Sequence, residues 1–186
     1  QEKIYRPTIL FLAVFFGFIM YLPAQKPSVI IQHKNFKISY SVDNEPYVQR
    51  LLTVLDTISD RYQNFYGIES QGIFFIEFPG SPLEYIRAVG YSLPEWSNGV
   101  YLPGQRRLVL KRPEWYYSTG TFEQVVAHEM SHLYYDLRFK DVNTPLWFNE
   151  GLAEYLSGQS IGIPEGLLLS NALFSGKLIP LMDVDS

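Results

Sequence analysis

Residues 128–132 read His128-Glu129-Met130-Ser131-His132, and this run decides how the whole chain is interpreted. In an α-helix, residues four apart differ by roughly 40° in direction and about 6 Å in height. The two imidazoles would then lie on one face, one turn apart, where they can chelate a single metal ion. Glu129 flanks the pair and can reach a water on that ion.

The sequence around this run predicts the helix that the geometry requires. Thr121 and Gln124 have the spacing of a capping box, which marks a helix start. Apolar residues then recur at three- and four-residue spacing, so one stripe can be buried while the histidines project from an adjoining face. We expect the helix to end near Phe139-Lys140, before the turn-prone segment 141–145.

A second segment strengthens the case, because a surface helix can carry two histidines four residues apart by chance. Residues 147–155 read Trp-Phe-Asn-Glu-Gly-Leu-Ala-Glu-Tyr, and Glu150 follows His132 with the seventeen residues 133 to 149 between them. Catalytic zinc sites commonly combine histidines, a carboxylate and a water. Glu150, on a second short helix, fits the position of the third protein ligand.

Together the two segments resemble the gluzincin branch of zinc metallopeptidases, and within it the peptidase MA-like domains of bacterial proteins. Those domains have an HExxH helix followed, after a loop, by Trp-x-x-Glu-Gly-x-Ala-Glu, and this chain carries both. The resemblance implies a zinc cofactor, with His128, His132 and Glu150 as ligands and Glu129 as general base. It also implies that Glu154 hydrogen-bonds His128 and fixes its orientation. A solvated helix carboxylate is the alternative for Glu154.

The rest of the chain predicts an α+β fold, and the resemblance, which reaches from about Phe36 to the end, implies a zincin-like one. Such a domain has a small mixed sheet, a long helix and the two site helices. We expect a strand at 36–40, a helix at 46–66, a buried strand at 73–78, and a hairpin of 98–101 with 107–110.

The resemblance also implies a place for the substrate. Zincins bind an extended peptide against an edge strand above the metal, and here Asn98, Gly99 and Val100 occupy that place. An ordinary internal strand is the alternative. The Gly-Ala-Met-Glu-Asn motif by which related aminopeptidases grip a substrate amino terminus is absent, which argues against an exopeptidase.

The composition fits one domain that does not bind nucleic acid. The chain has 186 residues, a formal net charge of −4 and no sustained basic tract, whereas phosphate binding needs clustered Lys and Arg. There is no cysteine, so any metal site uses nitrogen and oxygen ligands. The expected partner is a peptide or protein substrate.

The two ends of the chain carry separate expectations. Thr8 to Leu22 has no charge, so residues 1–24 are predicted to be a signal peptide or a membrane anchor, with a buried core helix as a third interpretation. The peptidase domain, 25–186, is then extracytoplasmic, anchored or secreted. Residues 164–176 have the signals of a helical subdomain that we expect to be truncated at Ser186. The residue that stabilises the oxyanion is not identifiable from the sequence.

The expected function is a zinc endopeptidase. Zinc would polarise the scissile carbonyl and lower the pKa of a water from about 15.7 toward roughly 7, while Glu129 takes the proton and returns it to the leaving amine. Two alternatives stay open: a zinc-binding module without turnover, and a zinc hydrolase of a non-peptide bond. The metal chemistry is shared among these enzymes, and pockets decide the substrate class.

Overall fold

The computed structural model describes residues 27–69, 72–91, 97–116, 120–140, 142 and 144–158. The predicted N-terminal segment, 1–24, and the predicted C-terminal helices at 164–176 lie outside these residues. Within the described part of the chain, none of the helices combines the length and apolar character needed to cross a bilayer.

A five-stranded mixed sheet forms the centre of the fold, in the order β1-β2-β3-β5-β4. β2, β3 and β5 are parallel, and the hairpins β1-β2 and β4-β5 close the two ends with antiparallel pairs. The strands are β1 (Ser28–His33), β2 (Phe36–Ser41), β3 (Phe74–Phe78), β4 (Gly99–Leu102) and β5 (Arg107–Leu110). The helices are α1 (Glu45–Tyr66), α2 (Pro82–Val89), α3 (Phe122–Phe139) and α4 (Leu146–Ser157).

The main core lies between one face of the sheet and the helices α1 and α3. α1 ends at Gly67, whose φ of 62° lies in the left-handed region that glycine adopts most easily. The hydroxyl of Tyr62 on α1 donates to the backbone carbonyl of Ala127 on α3, at 3.1 Å, and so ties the two helices together. The largest fully buried side chains come from the sheet and from both helices: Ile38, Leu51, Leu55, Tyr62, Phe74, Ile76, Phe78, Leu108, Leu110, Phe122, Met130 and Tyr134.

Among the residues that the structure describes, only α2 packs on the opposite face of the sheet, and it covers part of that face. α2 begins with Ser81 as its N-cap and packs Tyr85 and Val89 against the β4-β5 hairpin. None of the described helices covers the part of this face formed by β1, β2 and β3. A polar groove of about 660 Å³ lies there, between α2 and the sheet, with Glu77 and Arg107 among the residues that line it.

The α+β architecture predicted from the sequence is confirmed, and most of its elements lie within one or two residues of the expected bounds. The hairpin predicted for 98–101 with 107–110 is the antiparallel pair β4-β5, joined by a turn of 3₁₀ helix at Pro103–Gln105. β1 and α2 were not predicted.

Candidate metal centre

The first site helix, α3, begins where the sequence predicts. The Thr121 hydroxyl accepts from the Gln124 N–H at 3.2 Å, and the Gln124 side chain accepts from the Thr121 N–H at 3.0 Å, which completes the capping box. Met130 and Tyr134 are fully buried against the core and fix the rotation of the helix. Tyr135, the next residue, is buried as well.

The second site helix, α4, packs against α3 through the buried residues Ala153 and Leu156. It ends at Gly158, whose φ of 71° again places glycine in the left-handed region. Since Ala153 and Leu156 face α3 and the core, Glu150 lies where the helix passes the two histidines.

Three potential ligand atoms converge between α3 and α4. Nε2 of His128 and Nε2 of His132 are 3.1 Å apart, and Oε2 of Glu150 lies 3.4 Å from the first and 3.6 Å from the second. A tetrahedral zinc with bonds of about 2.0–2.1 Å separates its ligand atoms by about 3.3–3.4 Å. The three atoms therefore already have the spacing of one face of such a tetrahedron. Among the described residues this is the single group of three acidic or imidazole side chains whose ligand atoms lie close enough together, within 4.8 Å of one another, to hold one metal ion.

The electrostatics of the triad favour a positive charge at its centre. Hydrogen bonding to His128 and His132 holds the pKa of Glu150 far below its usual range, so Glu150 is an anion at neutral pH. Burial lowers the pKa of His132, but the carboxylates of Glu150 and Glu129 outweigh burial and raise it. The histidine side chains are largely buried, whereas that of Glu150 is 48% exposed, so the site opens to solvent on the α4 side.

Glu129 is buried beside this triad, with only 8% of the residue exposed. Burial raises the pKa of its carboxyl group, while the charges of His132 and His128 act in the opposite direction. The side chain lies against Gly99 of β4, where a Cβ added to the glycine would be 2.9 Å from the Glu129 Cγ. The backbone N–H of Tyr101 donates to the Glu129 carboxylate. Glu129 is therefore held between α3 and β4, next to the potential ligands.

Within the part of the chain that the structure describes, β4 lies at the end of the sheet order and is therefore an edge strand. The Lys111 N–H donates to the Asn98 carbonyl, so Asn98 and Lys111 form a hydrogen-bonded pair of the β4-β5 ladder. Successive residues of β4 therefore direct their backbone groups alternately toward β5 and away from it. Asn98 and Val100 direct their backbone groups toward β5, whereas Gly99 and Tyr101 direct theirs outward. Of the three residues predicted to bind substrate, Gly99 is the one whose backbone groups point outward, and the substrate-binding role of Asn98 and Val100 stays a prediction. Main-chain pairing at Gly99 likewise stays a prediction.

The hydrogen bond predicted between Glu154 and His128 is not formed in this structure. Glu154 is exposed, and the buried Nδ1 of His128 has no hydrogen-bond partner among the described residues. The structure shows a different contact, which the sequence interpretation missed. The Nδ1–H of His132 donates to Oδ1 of Asn149 at 3.2 Å, and this leaves the Nε2 lone pair of His132 directed at the triad.

No protein-family model matches the chain, and no curated protein matches it.

Proposed function

We propose that this protein is a zinc-dependent metallopeptidase of the gluzincin type with a zincin-like fold. The observation that carries the proposal is the convergence of His128, His132 and Glu150 at ligand-to-ligand distances of 3.1 to 3.6 Å. Two imidazole nitrogens and one carboxylate oxygen suit zinc, and the exposed side of Glu150 leaves access for a water and a substrate. A buried carboxylate, Glu129, stands next to the same atoms.

Each residue of the site has a role in the proposed hydrolysis. His128, His132 and Glu150 would hold zinc, which when bound supplies a Lewis acid that polarises the scissile carbonyl and makes a water more acidic. Glu129 removes a proton from the attacking water and delivers it to the nitrogen of the leaving amine. Burial supports this role, because a carboxylate removed from solvent has a greater affinity for a proton.

The position of β4 supports an endopeptidase. An extended peptide can pair with the outward backbone groups of Gly99 and pass the triad in both directions, without a group that binds its terminus. In this arrangement the substrate lies directly over the carboxylate of Glu129, because Gly99 and Glu129 are in contact.

The test combines metal analysis with digestion of a peptide library. We expect the purified protein to contain about one zinc per chain and to cleave peptides in a reaction that a chelator abolishes. His128→Ala should lose both zinc and cleavage. Glu129→Gln should keep zinc and lose about 10²–10⁴-fold in rate, the usual contribution of a general base.

The other outcomes separate the alternatives. Zinc without cleavage of any peptide would indicate a binding module or a hydrolase of a different bond. Full activity in Glu129→Gln would refute the role of that residue, and cleavage by a protein from which all metal has been removed would refute the proposal as a whole.

A further inference from the structure

The strand at the other end of the sheet, β1, lacks the features by which proteins usually protect an edge. Such strands commonly carry charges, prolines or bulges, or are covered by another element. β1 reads Ser-Val-Ile-Ile-Gln-His, and its pairing with β2 runs from Ser28 to His33 without a bulge. Within the described residues, the outer side of β1 pairs with no other strand.

Hydrogen bonds of the neighbouring strand show which backbone groups of β1 point outward. Pro27 lies opposite Val42 in the register of β1 with β2, and the Val42 N–H donates to the Pro27 carbonyl. Hydrogen-bonded and non-hydrogen-bonded pairs alternate along an antiparallel ladder, so the odd-numbered residues of β1 direct their backbone groups toward β2. The Phe74 N–H donates to the Asn35 carbonyl, in agreement with that phase, because Asn35 then points toward β3. Ser28, Ile30 and Gln32, the even-numbered residues, therefore direct their N–H and C=O groups away from the sheet.

We propose that this edge pairs with the same edge of a second copy of the chain, antiparallel and across a twofold axis at Ile30. In this register Ile30 faces Ile30 of the other copy, and Ser28 faces Gln32 at both ends. Every outward N–H and C=O of the three residues then has a partner, which gives six hydrogen bonds. A register shifted by two residues, with Ile30 opposite Gln32, leaves the groups of Ser28 unpaired by β1.

The side chains of β1 favour a second copy as the partner. Ile30 is 60% exposed on the face that α2 leaves open, and the twofold axis brings two such side chains together and removes them from water. Self-pairing always places like residues near each other, so it is opposed by any charge near the axis. Ser28 to Gln32 contains none. On the face of the sheet that α1 covers, Asp56 already forms an ion pair with Lys34 and contacts His33 of the same chain.

The area of such a contact is small, since a single strand and its side chains form it. Interfaces well below about 1,200 Å² are typically weak and transient. The dimer should therefore depend on concentration and should be looked for at high protein concentration.

Disulfide formation tests the register, because the chain has no cysteine of its own. In the full chain, Ile30→Cys places the Cα atoms of the two cysteines about 5.5 Å apart across the twofold axis, a separation that a disulfide can span. With oxidised glutathione added, we expect a covalent dimer. Gln32→Cys is the matched control on the same strand and face, because the twofold axis separates its two copies by about 15 Å. A mixture of Ser28→Cys and Gln32→Cys chains should give the mixed dimer.

Sedimentation of the chain without cysteine provides the second measurement. Ile30→Lys should abolish the concentration-dependent dimer while leaving the circular dichroism unchanged, because the side chain is exposed. Ile86→Lys, at a residue of α2 that is 52% exposed, should leave the dimer intact. The proposal is overturned by a monomer at all concentrations, by Gln32→Cys cross-linking as readily as Ile30→Cys, or by an Ile30→Lys variant that still dimerises.

Discussion

Gly99→Ala tests whether β4 positions the carboxylate of Glu129. A Cβ at Gly99 would lie 2.9 Å from Cγ, 3.2 Å from Oε1 and 3.3 Å from Cδ of Glu129. Ordinary contact begins at 3.4 Å, so the carboxylate side chain must retreat by about 0.5 Å, the difference between 2.9 and 3.4 Å. Because Glu129 is buried among packed atoms, we expect the free energy of unfolding to fall by about 1–3 kcal/mol. The melting temperature should fall by about 2–4 °C for each kcal/mol.

The activity of the same variant tests the proposed function separately. A misplacement of 1 Å can reduce a rate by about 10²-fold, so a shift of half that distance should reduce kcat by about tenfold. Zinc content should not change, since the three atoms nearest to the added Cβ all belong to Glu129, which is not one of the proposed ligands. Gly104→Ala is the matched control, because a Cβ there meets open space. If Gly99→Ala and Gly104→Ala were equally stable and equally active, β4 would not position Glu129.

Two further predictions concern the histidine contact and a surface ion pair. Asn149→Ala removes the acceptor of the His132 Nδ1–H and should weaken zinc affinity by about 10–100-fold in a chelator competition, whereas Asn149→Asp, which keeps an acceptor, should lose less. Hydrogen bonding from Arg50 lowers the pKa of the Glu123 carboxyl group in the folded state. The pair therefore stabilises the fold fully above the ordinary carboxyl pKa of about 4.3, and this contribution is lost as the pH falls through the lowered pKa. Because both side chains are more than 40% exposed, Glu123→Gln should lower the free energy of unfolding by less than about 1 kcal/mol at pH 7 and should not change it in acid. Thermal melts at both pH values test this, and a difference that persists in acid would indicate lost packing instead.

Elements with local start and stop signals were predictable from the sequence, and the others were not. The capping box at Thr121 and the glycine at 67 fix helix ends through contacts within a few residues. α2 has comparable signals in its Ser81 cap and in Gly90, so this helix was predictable from the sequence in the same way. β1 is different, because Ile30 faces outward between the inward-facing Val29 and Ile31. Burial alternates along β1, but the three successive apolar residues 29–31 hide the alternation of apolar and polar residues by which a half-buried strand is identified from sequence.

The candidate site shows the same limit. Helical spacing alone predicts that His128 and His132 share a face, because both lie on α3. Which residues of α4 meet them depends on how α4 is rotated against α3, and the packing of the buried residues Ala153 and Leu156 sets that rotation. Asn149 is one residue from Glu150, about 100° around the helix, and only the packed structure shows that it reaches His132 while Glu154 remains exposed.

The two edges of the sheet differ in how their outward backbone groups are satisfied. At β4, the Ser97 hydroxyl donates to the Gly99 carbonyl at 2.7 Å, and the Tyr101 N–H donates to Glu129. A substrate strand at this edge must displace both contacts, so the binding energy is reduced, and the carboxylate of Glu129 becomes free for the water as the peptide arrives. At β1 the outward groups have no such partner among the described residues, and a second strand displaces only water. Under the proposed functions, substrate binding at β4 therefore costs two internal contacts, whereas the weak self-pairing of β1 costs none among the described residues.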